Sequence, residues 1–261
     1  MPESWRRDLL DAAQRPPGSP RVALRLAPEG PPIGSVEAAR LPAMYAASLP
    51  LTAETTTGVA LVGDPDRGLG ALARWLRERT SRWRDERLDV LDPEGVPVAV
   101  VERDAARPLG ITTRAVHLIG HTPDGHVWLQ QRAADKATDP GLWDTLVGGL
   151  VSAGESLATT LSRETGEEAG LRLDALRGLR HLGRVSLRRP VPEGDQVQHL
   201  EVFDALLDDA QTPENHDGEV QRFERLTREA LITRLLDGAF TLEAALAFDR
   251  WLRAPPVRGP T

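Results

Sequence analysis

GGLVSAGESLATTLSRETGEEAGL, residues 148–171, combines a glycine pair, a helix signal and a dense set of carboxylates. Glu155 and Ser156 stand where a helix begins, and Gly170 where it stops. At about 100° per residue, Leu157, Ala158, Leu161, Thr165 and Ala169 fall on one stripe, fit to face a core. Glu164, Glu167 and Glu168 fall on the adjacent stripe, within an arc of roughly 100°. Like charges so close repel, so the cluster costs stability unless something cationic sits among them. Gly148 and Gly149, without side chains, let backbone carbonyls approach the same place. Oxygen ligands of this kind suit hard cations, Mg²⁺ or Mn²⁺. A solvent-exposed acidic helix end is the plain alternative, which three glutamates alone do not exclude.

The chain on either side divides in two. Before about Leu109, "SWRRDLLDAAQR" reads as a helix broken by "QRPPGSP", and "RVALRLA" and "TTTGVALVG" read as strands around a loop, "APEGPPIG". "DRGLGALARWLRERTSRWRDE" reads as a helix with Leu69, Leu72 and Leu76 on one face; its arginines invite a phosphate-binding reading, but interleaved with Glu78, Asp85 and Glu86 they read better as a solvated face. "RLDVLDPEGVPVAVVER" reads as a hairpin turning at Asp92–Gly95. From Gly110 on, "ITTRAVHLIGHTPDGHVWLQQRA" is a strand, turn and strand. The strands "LRGLRHLGRVSLRR" and "VQHLEVFDALL" follow the carboxylate helix, and "TREALITRLLDG" and "TLEAALAFDRWLRA" close as helices. Strands and helices mix without a regular βαβ repeat, which implies a mixed sheet between helices. The expected division is 1–108, 109–253 and a loose Pro-rich tail, 254–261.

The 261 residues carry a formal net charge of −7, which argues against the basic surface of a nucleic-acid binder. There is no cysteine, hence no disulfide, thiolate metal site or cysteine nucleophile. No run approaches the length of a membrane span, and residues 1–7 lack a signal-peptide pattern, so the expectation is a cytoplasmic protein with no membrane partner.

The quoted segment resembles the Nudix box, G-x5-E-x7-R-E-U-x-E-E-x-G-U, where U is a bulky aliphatic residue. Gly149, Glu155, Arg163, Glu164, Glu167, Glu168, Gly170 and Leu171 match without a gap, and Thr165 departs at an aliphatic position. The resemblance implies an α+β fold, a Nudix α/β/α sandwich with a mixed sheet, here preceded by a smaller α+β N-terminal domain. It implies hydrolysis of a diphosphate joined to an organic group X. Glu164, Glu167 and Glu168, with the carbonyl of Gly148 or Gly149, would hold the metal. Glu164, Glu167, Arg163 and a later carboxylate, Glu219 or else Glu201, would serve catalysis, and Glu155 would pair with Arg163.

"RWRDERLDV", "VERDAARPLGITTRAVHLIG", "DKATDPGLWDTLVGGLVSAGES" and "DGEVQRFERL" together resemble the branch fused, in some eukaryotes, to a thiamine pyrophosphokinase. That branch implies thiamine diphosphate or its oxidised forms as substrate, with oxidised nucleoside diphosphates the alternative. "ADKATDPGLWDTLVGGLVSAGE" also resembles isopentenyl diphosphate isomerases, which rely on a cysteine this chain lacks. A catalytically silent Nudix domain, sensing a diphosphate ligand, is the alternative function.

Recognition of X must come from outside the box. Trp83 and Arg84 offer an aromatic face and a guanidinium, Arg132 and Lys136 offer charge for the diphosphate, and Trp128 or Trp143 could stack on a ring. His117 and His121 share a strand face about 13 Å apart, as ordinary strand residues rather than joint metal ligands.

Overall fold

The computed structural model describes residues 1–80, 83–136, 138–208, 210–216 and 218–255. The first part of the chain forms α1 (Glu3–Ala12), β1 (Arg21–Arg25), β2 (Pro32–Glu37), α2 (Leu41–Ala46), β3 (Val59–Ala60), α3 (Pro65–Arg77), β4 (Arg87–Leu91), β5 (Pro97–Glu102) and α4 (Arg103–Ala106). Then come β6 (Thr112–His121), β7 (Val127–Arg132), β8 (Trp143–Asp144), β9 (Val147–Leu150), α5 (Leu157–Ala169), β10 (Arg177–Val191), β11 (Gly194–Leu206), β12 (Val220–Leu226), α6 (Arg228–Leu236) and α7 (Leu242–Arg253).

The second part is built on a mixed sheet. Its path runs β10-β11-β6-β7-β12, with β9 on β6 and β8 on β7; β11 and β6 are parallel and the other pairs antiparallel. The central strand β6 is apolar on both faces, which fits a sheet covered on both sides. Ala115 and Ile119 pack with α6 and α7, whereas Val116 and Leu118 pack with Leu161 and Ala169 of α5. An α/β/α sandwich results, as expected.

The first part has its own apolar cluster, in which Leu69, Leu72 and Leu76 of α3 meet Leu24 of β1, Leu88 of β4 and Val101 of β5. Asp64 caps α3 by accepting the Arg67 N–H at 2.9 Å, ahead of Pro65 in the first turn. β2, β1 and β3 form a small sheet, and β4 and β5 form the expected hairpin.

Several local features differ from the sequence reading or add to it. The loop expected over residues 27–34 gives way at Pro32 to β2; a proline at the first position of a strand removes no needed ladder bond. The "TTTGVALVG" strand shrinks to the two residues of β3. "DGEVQRFERL" contains β12, an edge strand whose Gln221, Arg222 and Arg225 are exposed, so its apolar signal is weak. The first helix does not pack on the cluster that follows it in sequence. Leu9 and Ala13 belong to the cluster of α6 and α7, Trp5 Nε1 donates to the Leu235 carbonyl at 3.2 Å, and Arg6 Nε to Asp249 Oδ2 at 3.2 Å. Most of the expected tail, residues 256–261, lies outside the described residues. Among the described residues no helix is long and apolar enough to cross a membrane.

Candidate active site

The carboxylate helix α5 forms for local reasons. Ser156 caps it, its Oγ accepting the Thr159 N–H at 3.1 Å, and Gly170 ends it at φ 62°, a left-handed conformation that glycine adopts without strain. Leu161 and Thr165, both fully buried, anchor one face. The Thr165 hydroxyl donates to the Leu161 carbonyl at 2.6 Å, so the polar residue at an aliphatic position leaves no group unpaired. Thr165→Val keeps the shape, and Leu161 keeps its helical N–H partner. Its expected stability change, read from a thermal melt, is within about 1 kcal/mol; a larger loss would give the hydroxyl a role in the site.

The cation among the like charges is Arg163. Its Nε and Nη2 meet both oxygens of Glu155 at 3.1 and 3.0 Å, and its Nη1 reaches Glu164 at 2.9 Å and Glu167 at 3.0 Å. That hydrogen bonding holds the Glu155 carboxyl below its ordinary range. Glu168 is excluded from the arginine. It is buried, and one of its oxygens accepts from the Gly148 N–H and from Gln130 Nε2, each at 2.9 Å.

Burial pushes Glu164 up to about 7 and Glu168 up to about 8, with nearby carboxylates adding to both. Gly149 has no room for a side chain: a Cβ there would lie 2.0 Å from Glu164 Cδ. The Glu164 carboxyl therefore rests on the Gly149 backbone, and β9 and α5 meet at the site.

A hard divalent cation fits this donor set. All the candidate donors are oxygens, and burial, with neighbouring carboxylates, disfavours the charged form of Glu164 and Glu168, a cost that a bound cation would offset. Among the described residues, no three acidic or histidine side chains converge on one point. Glu167, half exposed, is instead drawn toward Arg163. Glu164, Glu167, Glu168 and the Gly149 carbonyl are the residues that could hold such an ion.

A cleft of about 1500 Å³ gathers these carboxylates with Glu219, Arg132, Lys136, Trp83 and Arg84. Glu219 is ion-paired with Lys136, and its backbone carbonyl accepts the Ala133 N–H at 3.0 Å. Burial pushes the Glu219 carboxyl up, but Lys136, Arg103 and Arg132 together bring it below its ordinary range. Arg132 donates to the Thr138 carbonyl at 3.0 and 3.3 Å, Trp83 donates to Glu102, and Arg84 pairs with Asp104.

Other candidates lie elsewhere. Glu201 is buried away from the cleft between His181 Nε2 at 2.8 Å and Arg184 Nε at 2.6 Å. Trp143 is a core residue with Arg234 and Arg222 over its ring, and Trp128 packs on the cluster under α5. His121 lies 3.5 Å from Asp204, off the cleft, whereas His117 does line it, bonded to Thr145 Oγ1 at 3.0 Å. Sequence reasoning missed Gln130, which holds Glu168, and the polar end of the cleft formed by Arg107, Gln196, Gln198 and Glu243. For Gln130 the sequence held no local signal; for Gln198 the signal was an amide on the strand face that also carries Leu200 and Val202.

The NUDIX domain family model matches residues 111–246. The chain belongs to the Nudix family. It is 35% identical over 100 residues to an uncharacterized Nudix hydrolase of Pseudomonas aeruginosa, an alignment spanning 38% of this chain and 57% of that protein. It is 25% identical over 206 residues to an uncharacterized protein of Saccharomyces cerevisiae, spanning 72% of this chain and 57% of that one. The chain thus spans about half the length of the curated relatives it matches. A crystal structure of DR0079 from Deinococcus radiodurans, 24% identical, superposes with a TM-score of 0.52 over 64% of this chain and 98% of that one, and so shares the Nudix fold. In this Nudix domain the box spans the end of β9, the following loop and α5.

Proposed function

We propose that the chain is a divalent-metal-dependent hydrolase cleaving an organic diphosphate, either nucleoside-diphosphate-linked or thiamine-diphosphate-like, by attack of water on phosphorus. The observation that carries this reading is the Glu164 carboxyl seated on Gly149 beside the buried Glu168, with Arg163 holding the remaining carboxylates. A bound Mg²⁺ or Mn²⁺ would offset the negative charge of the diphosphate and acidify an attacking water. Glu164, seated on the Gly149 backbone in the cleft, is placed to accept a proton from that water. Arg163 fixes Glu155, Glu164 and Glu167 in one array, and Glu219 enters the cleft from the segment before β12. Arg132 and Lys136 offer positive charge to the phosphates.

The N-terminal unit contributes a wall of the cleft through Trp83 and Arg84, and this wall would select X. The thiamine-pyrophosphokinase-associated branch suggests thiamine diphosphate or its oxidised forms. The similarity to the yeast protein covers 72% of the chain, more than the Nudix domain alone, and so extends into the N-terminal unit.

The test is product release from a panel of organic diphosphates, thiamine diphosphate and its oxo forms included, with and without Mg²⁺. Metal-dependent release from at least one is expected; tight binding without release would favour a ligand sensor. Deleting residues 1–108 would also strip α1 from α7, so the wall is better tested by Arg84→Ala. That change should raise KM about tenfold, the size of one lost charge-assisted hydrogen bond. A purely kcat effect would remove Arg84 from substrate binding.

A further inference from the structure

The carboxylates of α5 provide nothing that tells one organic group from another. Further along the cleft lies a polar relay that the chemistry above does not use. Gln196 and Gln198 occupy the face of β11 that also carries the core residues Leu200 and Val202, since side chains two apart share a face. Both are buried, at 4% and 7% exposure. Buried amides on an apolar face are destabilising unless hydrogen-bonded.

The bonds here run in one direction. Arg189 can only donate. Its Nε donates to Gln196 Oε1 at 2.9 Å, which fixes the oxygen end of that amide. Gln196 Nε2 then donates twice, to Glu243 Oε1 at 2.8 Å and to Gln198 Oε1 at 2.9 Å. Turning Gln198 over would set its NH₂ against that of Gln196. Gln198 therefore keeps its oxygen inward and leaves Nε2 on the cleft side, without a hydrogen-bond partner among the described residues.

Position matters as much as polarity. Gln198 is in register with Thr113 of β6, while Gly148 of β9 is in register with His117, four residues further along β6. Two strand spacings and four residues separate Gln198 from Gly148 by on the order of 15 Å. Thr113 and Ala115, small and uncharged, line the cleft in that interval. The gap has room for a diphosphate followed by a flat organic group.

We propose that Gln198, locked in one amide orientation by Arg189, Gln196 and Glu243, is a specificity-determining residue that donates to a hydrogen-bond acceptor on X, a ring nitrogen or ring carbonyl of a nitrogen heterocycle. This rests on the diphosphate reading above. The fixed donor selects between heterocycles of equal shape whose edges exchange donor and acceptor.

The experiment is titration calorimetry of the full chain with Ca²⁺, a hard cation of the same charge as Mg²⁺. The ligands are matched pairs: ADP with inosine diphosphate, CDP with UDP, and thiamine diphosphate with its 4-oxo analogue. The wild-type chain is expected to bind one member of at least one pair about tenfold more tightly, the worth of one hydrogen bond to a buried amide. Gln198→Glu keeps the shape and still accepts from Gln196, but presents an acceptor to the cleft, so the preference within that pair inverts. Gln198→Leu presents neither group and abolishes the preference; it also carries the test if the added charge of the glutamate disturbs folding. Equal affinities within every pair, or a preference that survives in a folded variant, would overturn the proposal. Failure of the hydrolase reading shows itself differently, as selective binding without metal-dependent product release.

Discussion

Glu164→Gln and Glu167→Gln are each expected to lower turnover by at least about 10²-fold, by removing negative charge from the metal ligands or the proton acceptor. The substitutions keep side-chain length and shape, so the effect should fall on chemistry rather than folding. Arg163 retains its two-oxygen contact with Glu155 in either variant, and so stays in place. Glu167 is half exposed and contributes little to the core. Glu164 is more enclosed, and replacing a buried acid by a neutral amide should leave stability unchanged or slightly improved. Steady-state rates with Mg²⁺, beside thermal melts, check both parts. Two variants active within a few-fold of wild type would put the chemistry elsewhere.

Gly149→Ala is expected to be as damaging although it removes no ionisable group. The added Cβ would lie 2.0 Å from Glu164 Cδ and 2.1 Å from its Oε1, so the carboxyl must leave its seat. The pairing of Gly149 with Val116 uses backbone atoms alone, so β9 should remain in the sheet. Loss of turnover by about 10²-fold or more, with a folded protein, is the expected result, since displacing Glu164 approximates deleting it. Gly148→Ala is the comparison: its Cβ would meet the His117 ring at 3.1 Å, a contact relieved by a small shift, and the loss should be smaller. Equal activity of Gly149→Ala and wild type would mean that Glu164 works from another position.

The sequence made α5 legible because its signals are local: a serine cap, a glycine stop, and apolar and acidic stripes set by helical periodicity. The bond from Gln130 to Glu168 was not legible, since it joins residues 38 apart and nothing in "VWLQQR" tells an inward glutamine from an outward one. The positions of Trp143 in the core and of Glu201 away from the cleft were not legible for the same reason. Their residue types suit stacking and acid–base work, but the faces they occupy are set by strand register, which depends on the partner strands. β12 was obscured by its position at the sheet edge, where charged residues are favoured and the apolar alternation fades. Glu219, expected from the resemblance as the later carboxylate, is brought to the cleft by the fold, where Lys136 accompanies it.

The docking of α1 onto α6 and α7 has a consequence for how the molecule assembles. Trp5 and Leu235, which share a hydrogen bond, are 230 positions apart, and Arg6 and Asp249 are 243 apart. Closing a loop of that length costs about 3 kcal/mol more in chain entropy than closing one of ten residues. During synthesis, α1 leaves the ribosome long before α6 and α7 and waits more than 200 residues for its binding surface to exist. Until then the apolar side chains of Trp5 and Leu9 have no partner surface, and they are available to chaperones or to another nascent chain. Completion of that helical layer is therefore a late event, a clasp that shuts after the sheet has formed.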